Sequence, residues 1–149
     1  MKYLKLRYIL LFTLILLVAM QLFSIDKSTE EIDPAEDFYQ TVQMPDDVKT
    51  ILRTACNNCH SNETSYPWYA NIEPVSWWIQ GHINNGRGNL NFSKWQSYDA
   101  SRKNRKIDEC VEVLEQRRMP FSSYVMMHKE AQLSDEQYNR LIAFFESMR

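Results

Sequence analysis

Cys56-Asn57-Asn58-Cys59-His60 is a C-x-x-C-H run, and the rest of the chain is read outward from it. This spacing suits covalent attachment of a c-type haem. Two thiols two residues apart reach the two vinyl groups of one porphyrin and add to them as thioethers. The next residue, His60, then falls beneath the iron and supplies a proximal nitrogen. Other uses of two cysteines fit less well. A zinc knuckle needs a second Cys or His pair at short spacing, and none follows. A thioredoxin-like site belongs in a βαβ pattern, which this sequence lacks. A Cys56–Cys59 disulfide in an envelope scaffold is the remaining non-haem reading. Cys110 is left single, so no disulfide framework is implied.

The helical periods on either side place the motif in an all-α domain. Pro45-Asp46-Asp47 opens a helix, with acidic residues early in it facing the helix dipole. Val48, Ile51, Leu52, Ala55 and Cys56 share one face of that helix and carry the motif at its end. An aromatic loop, Tyr66 to Ile72, follows. Pro74 opens a second helix with Val75, Trp78, Ile79, His82 and Ile83 on one face, and Asn85-Gly86-Arg87-Gly88 closes it. A third helix, about Ala100 to Arg118, turns Ile107, Cys110, Val111 and Leu114 inward, and Met119-Pro120 ends it. Phe121 to Leu133 reads as a loop. The last helix begins at Ser134, where Ser134 and Gln137 form a capping box. Its buried stripe is Tyr138, Leu141, Ile142, Phe145 and Met148. This order resembles that of a small cytochrome c-like helical domain around one covalent haem.

Composition bounds the rest. The chain has 149 residues, 13% of them aromatic, only three glycines, and a formal charge of −2. Three domain units are expected: residues 1–25 as an N-terminal membrane anchor or signal segment, 26–44 as an acidic tether, and 45–149 as the haem-binding domain. The run from Tyr8 to Ile25 is nearly all apolar. Its length is close to the lower limit for a membrane span. Lys2, Lys5 and Arg7 precede it, which by the positive-inside rule puts the domain across the membrane. No good small-x-small cleavage site ends the run, so an uncleaved inner-membrane anchor with a periplasmic domain is expected. The alternative is secretion to the periplasm after cleavage. Without those three cations, 14 basic residues stand against 19 acidic ones, and nothing favours nucleic acid.

Further blocks add specificity. Cys59-His60-Ser61-Asn62-Glu63-Thr64, then Tyr66-Pro67-Trp68-Tyr69-Ala70-Asn71-Ile72-Glu73-Pro74-Val75-Ser76-Trp77-Trp78, then His82-x-x-x-Gly86-Arg87 and Leu90-Asn91-Phe92-Ser93-x-Trp95, resemble the bacterial haem-binding domain family of small exported proteins. Met119-Pro120 and His128-Lys129-x-Ala131-x-Leu133-Ser134 are similar too. The resemblance covers about residues 45–149 and implies one covalently bound haem c. Phe121 departs from it, standing where a small residue or proline is expected.

Candidate site residues follow. Cys56 and Cys59 attach the haem, and His60 ligates the iron. Met119 lies well downstream of His60, just past the third helix, as suits a loop-borne distal thioether. It is the first choice for sixth ligand. His82 and His128 are the other candidates. Tyr66, Trp68, Tyr69, Trp77, Trp78 and Trp95 are expected to wall the haem, and Arg87 to pair with a propionate. Arg102, Lys103, Arg105 and Lys106 form a basic run, read as a solvated face or a docking patch for a redox partner. The expected function is a membrane-anchored periplasmic monohaem electron carrier working with periplasmic or membrane redox proteins. The alternative is a haem-based sensor or small peroxidase with an open or weakly held sixth position, in which His82 and Arg87 handle the bound ligand.

Overall fold

A computed structural model describes residues 2–149, so that of the expected anchor segment Met1 lies outside the described residues. Among the described residues all regular structure is helical. The order is α1 (Lys2–Met20), α2 (Phe38–Thr41), α3 (Asp46–Ala55), α4 (Asn57–His60), α5 (Val75–Asn89), α6 (Ala100–Glu115), α7 (Ser122–Met127) and α8 (Asp135–Glu146), with short 3-10 turns between them.

The expected N-terminal span is corrected. No helix among the described residues is long and apolar enough to cross a membrane. Lys2, Lys5 and Arg7 occupy the first turns of α1, so its uninterrupted uncharged stretch runs only from Tyr8 to its end at Met20. At the α-helical rise that stretch is about 20 Å long, against a hydrocarbon core of about 30 Å. With the span go the inner-membrane placement, the membrane as a partner through it, and the membrane-anchored electron carrier. The chain instead turns at Gln21, whose side-chain amide bonds both backbone groups of Glu73, at 3.1 and 3.0 Å. Trp77 donates from its indole nitrogen to the Phe23 carbonyl at 2.7 Å.

The acidic stretch that follows lies along the domain. Glu30 pairs with Lys94, and the Glu36 carbonyl accepts from the Gln96 amide at 3.0 Å. Phe38 and Tyr39 on α2 are buried. Phe38 sits at the centre of an aromatic core, edge-on to Trp95 at 5.1 Å and to Phe144 at 6.4 Å.

α3 buries Val48, Ile51, Leu52 and Ala55, the face that the 3.6-residue period selects. α3 packs against α8, which contributes Leu141, Phe144 and Phe145 to the same core. Arg140 clamps Asp47 across the pair at 2.6 and 3.2 Å. Ser134 and Gln137 cap α8 reciprocally. Phe144, which the expected stripe omits, is one of its buried residues.

α6 ends at Glu115, short of the expected Arg118. Arg117 adopts a left-handed φ of 52°. The Arg117 and Arg118 amides bond back to the Leu114 and Val113 carbonyls, which is the Schellman way of closing a helix. Phe121 to Leu133, expected to be loop, holds the short helix α7 and a 3-10 turn at Lys129–Ala131. α5 runs through Gly86 and Gly88 to Asn89 rather than closing there.

Candidate functional site

Cys56 ends α3, and its carbonyl receives the amides of Cys59 and His60 at 3.2 and 3.0 Å. α4 is therefore one tight turn, and together with Cys56 just before it places both thiols and the imidazole on one cavity wall. That cavity has a volume of about 550 Å³, within the usual range for a cofactor site. Cys56, Cys59, His60, His82 and Met119 all line it. Its apolar walls come from α3, α6 and α8, through Leu52, Leu114, Leu141 and Phe145, with Leu90 and Phe92 from the segment after α5.

The imidazole is oriented. His60 Nδ1 lies 3.0 Å from the Leu90 carbonyl. A carbonyl only accepts, so Nδ1 carries the proton and Nε2 keeps its lone pair. Burial holds the His60 pKa below its ordinary value, against the opposing pull of the Leu90 and Gly86 carbonyls. The ring thus stays neutral at physiological pH, the state a metal ligand needs, with a hydrogen bond on the far nitrogen to fix its orientation.

The turn itself is braced. Arg87 donates to the Ser61 carbonyl and to the Thr64 hydroxyl, each at 2.8 Å. The Thr64 hydroxyl in turn donates to the Asn58 carbonyl at 2.6 Å. The Asn62 amide bonds Ser93 Oγ at 3.0 Å, and Asn91 bonds the Asn62 side chain at 3.0 Å. Polar residues between His60 and Ser93 thus tie the attachment turn to the segment that supplies the Leu90 carbonyl. Gly86 lets α5 come close enough to complete this. A Cβ there would collide with the Cys59 carbonyl oxygen and lie 3.0 Å from its carbon.

Cys56, Cys59 and Cys110 are all unpaired. Burial first, and Cys59 second, push the Cys56 thiol up to about 12. Burial also raises Cys59. Thiols of the redox-active kind are shifted the other way. Among the described residues no group of three or more His, Cys, Asp or Glu is placed to hold a metal ion. Cys110 lines the same cavity, its pKa likewise pushed up to about 12 by burial and then by nearby Cys56.

Several expected cofactor residues stand elsewhere. Arg87 braces the turn and does not line the cavity. Trp78 is 53% exposed and meets His82 in a tilted contact, ring centroids 4.3 Å apart. None of Tyr66, Trp68, Tyr69, Trp77, Trp78 and Trp95 lines the cavity of His60. Trp95 is in the core, and Tyr66, Trp68, Tyr69 and Trp78 line a second, 310 Å³ cavity. The expected face of α5 (Val75, Trp78, Ile79, His82 and Ile83) is one wall of that second cavity. The two cavities adjoin through Cys59, His82, Phe121 and Tyr124, which line both. His128 lines the second cavity only.

The basic run splits. Arg102 lies 4.1 Å over the Tyr98 ring and Lys103 bonds Gln96. Lys106 is buried beside Glu109 at 2.5 Å and lines the His60 cavity with Arg118. Lys106 and Arg118 are the cations on that wall, where Glu109 and Glu112 pair with them. The sequence holds a sign of this, since Lys106 stands four residues before Cys110 and so shares its inward face.

The haem-binding domain family matches residues 15–147, and the chain belongs to it. No curated protein and no solved structure matches the chain.

Proposed function

We propose that this member of the haem-binding domain family is a haem-based sensor or small peroxidase, holding one haem covalently through Cys56 and Cys59 with His60 as proximal ligand. The observation that carries the reading is the cavity on whose wall both thiols and the neutral, Leu90-oriented His60 stand together. Haem bound there supplies an iron whose sixth position takes a small ligand. The chain's own residues do the remainder. Lys106 and Arg118, on the cavity wall, would pair with the propionates. The apolar wall excludes bulk water, which strengthens every polar interaction inside.

His82 fits the distal role. Its Nδ1 is held 2.8 Å from the Trp78 carbonyl, so Nδ1 donates and Nε2 is left with its lone pair. An edge-on contact with Phe121, ring centroids 5.6 Å apart, fixes the imidazole on the wall that both cavities share. Nε2 would accept a proton from a bound hydroperoxide and return it to the leaving oxygen. Met119, after the end of α6, lines the His60 cavity; in this reading it packs there and leaves the sixth position open. The adjoining second cavity supplies a route for small molecules.

Two spectra test this. Haem should remain on the polypeptide after acid–acetone extraction and give a c-type pyridine haemochrome. The ferrous protein should then bind CO to saturation, and Met119→Ala should leave the reduced spectrum unchanged. Haem that extracts would remove the covalent reading. A six-coordinate ferrous iron that refuses CO would remove the sensor or peroxidase.

A further inference from the structure

Beside the haem cavity, three side chains form a relay that the proposed site does not use. His128 Nδ1 lies 3.0 Å from the Glu130 carboxylate. A carboxylate only accepts, so Nδ1 carries the proton and Nε2 of the neutral ring is an acceptor. The phenolic oxygen of Tyr69 lies 2.7 Å from that Nε2. Tyr69 therefore donates to a base whose far side already rests on a carboxylate. No other tyrosine among the described residues has this arrangement. Tyr66 donates to a Gln80 amide oxygen, the oxygens of Tyr98 and Tyr124 accept from amides, and Tyr39 is buried with no partner.

Aromatic groups extend the relay both ways. Tyr124 stacks on His128, with centroids 4.3 Å apart and planes 19° apart. Tyr124 also lines the His60 cavity and accepts at 2.8 Å from Asn58, which stands between the two motif cysteines. On the other side, Trp68 meets Tyr69 edge-on at 5.7 Å and is 73% exposed. A continuous file of rings thus runs from the haem cavity through Tyr124, His128 and Tyr69 to Trp68 at the surface.

We propose that Tyr69 is a proton-coupled redox station, through which donors that cannot enter the haem cavity are oxidised at the surface around Trp68. The Tyr69 O–H bond breaks. Its proton passes to His128 Nε2, and one electron leaves the ring for a one-electron oxidant, the hydroperoxide-treated haem. The products are a neutral phenoxyl radical and an imidazolium held by Glu130. A phenol or hydroquinone at the surface then gives one electron. His128 returns the proton to the Tyr69 oxygen, and the donor loses its own proton to water. Only the identity of the oxidant rests on the haem reading; the Tyr69–His128–Glu130 couple does not.

The full-length protein, flashed with ruthenium tris-bipyridine and a sacrificial acceptor, tests the couple without using the haem. A tyrosyl radical should form and be seen by electron paramagnetic resonance. Tyr69→Phe should remove that signal. His128→Ala should slow its appearance about tenfold or more, with added imidazole restoring the rate. A radical unaffected by both substitutions would overturn the proposal. Hydrogen peroxide added to the haem-loaded protein should give the same radical. Tyr124→Leu should cut that yield while leaving the flash-induced radical intact. A haem-loaded protein that forms the flash radical but none with peroxide would overturn the file of rings as a path. A protein that takes up no haem would instead remove the proposed function and leave the flash result standing.

Discussion

Gly86 and Arg87 carry the attachment turn at the scale of single residues. Both stand on α5, about one turn after His82, and both meet the chain around Cys59; Gly86 also lines the His60 cavity, and Arg87 does not. Gly86 permits contact with the Cys59 backbone, and Arg87 ties down Ser61 and Thr64. Backbone atoms cannot move aside as a flexible side chain can. Gly86→Ala is therefore expected to push α5 off the turn and to cost about 1–3 kcal/mol. Urea unfolding measures the loss, and the haem-to-protein ratio after maturation should fall with it. An unchanged midpoint and full haem loading would show that the turn tolerates the displacement. The Gly86-Arg87 pair is visible in the sequence as part of the family resemblance. Its reason is not, because Gly86 and Cys59 are distant in the chain and their close approach has no local signature.

The contact between α3 and α8 carries a pH dependence at the scale of elements. Asp47 is in the first turn of α3, where a negative charge is favoured, and Arg140 reaches it from α8. The hydrogen bond from Arg140 holds the Asp47 carboxyl below its ordinary value of 3.8. A carboxyl whose pKa is lower folded than unfolded adds stability in full above the unfolded value. That contribution fades as the pH falls through the folded one. The melting temperature of the native chain should therefore exceed that of Asp47→Asn by a constant margin near neutrality. The margin should shrink below about pH 4 and close at lower pH. A margin that instead grows in acid would mean that the pair is not the link between these helices. High salt should also narrow it, since both groups are exposed to solvent. The elements themselves were largely legible. α3 follows from its apolar period and acidic entry, α8 from its period and capping box, and α6 from its inward face. α7 was missed because a short helix with no buried residue leaves no period to read.

Over the whole molecule, the core and the cavity are contributed by the same helices. Leu52, Leu114, Leu141 and Phe145 belong to the hydrophobic core and also line the 550 Å³ space around His60. Without an occupant, these side chains have no packing partner on one side, and dispersion contacts there are lost outright. Haem attached at Cys56 and Cys59, as proposed, would fill that space in the folded state and restore those contacts, so it should raise stability. The chain matured without haem, or Cys56→Ala/Cys59→Ala, is expected to melt well below the loaded protein and to lose near-ultraviolet circular dichroism more than far-ultraviolet signal. Equal melting temperatures would place the haem outside this core.

The sequence by itself determined the helical class, the attachment motif and the membership of the haem-binding domain family, which matches residues 15–147. These are local or linear properties, namely the spacing within one short motif, apolar helical periods and aromatic blocks in order. Tertiary structure alone decided the rest. It put the aromatic block around a second cavity beside the one that His60 lines, turned Arg87 to the backbone, and placed Lys106 of the basic run on the wall of the His60 cavity. It also ended the N-terminal helix at Met20, where Gln21 docks on Glu73, leaving too short an apolar length to cross a membrane. Each of these depends on which helix faces lie against one another. That is fixed by packing among residues far apart in the chain, and no local spacing records it.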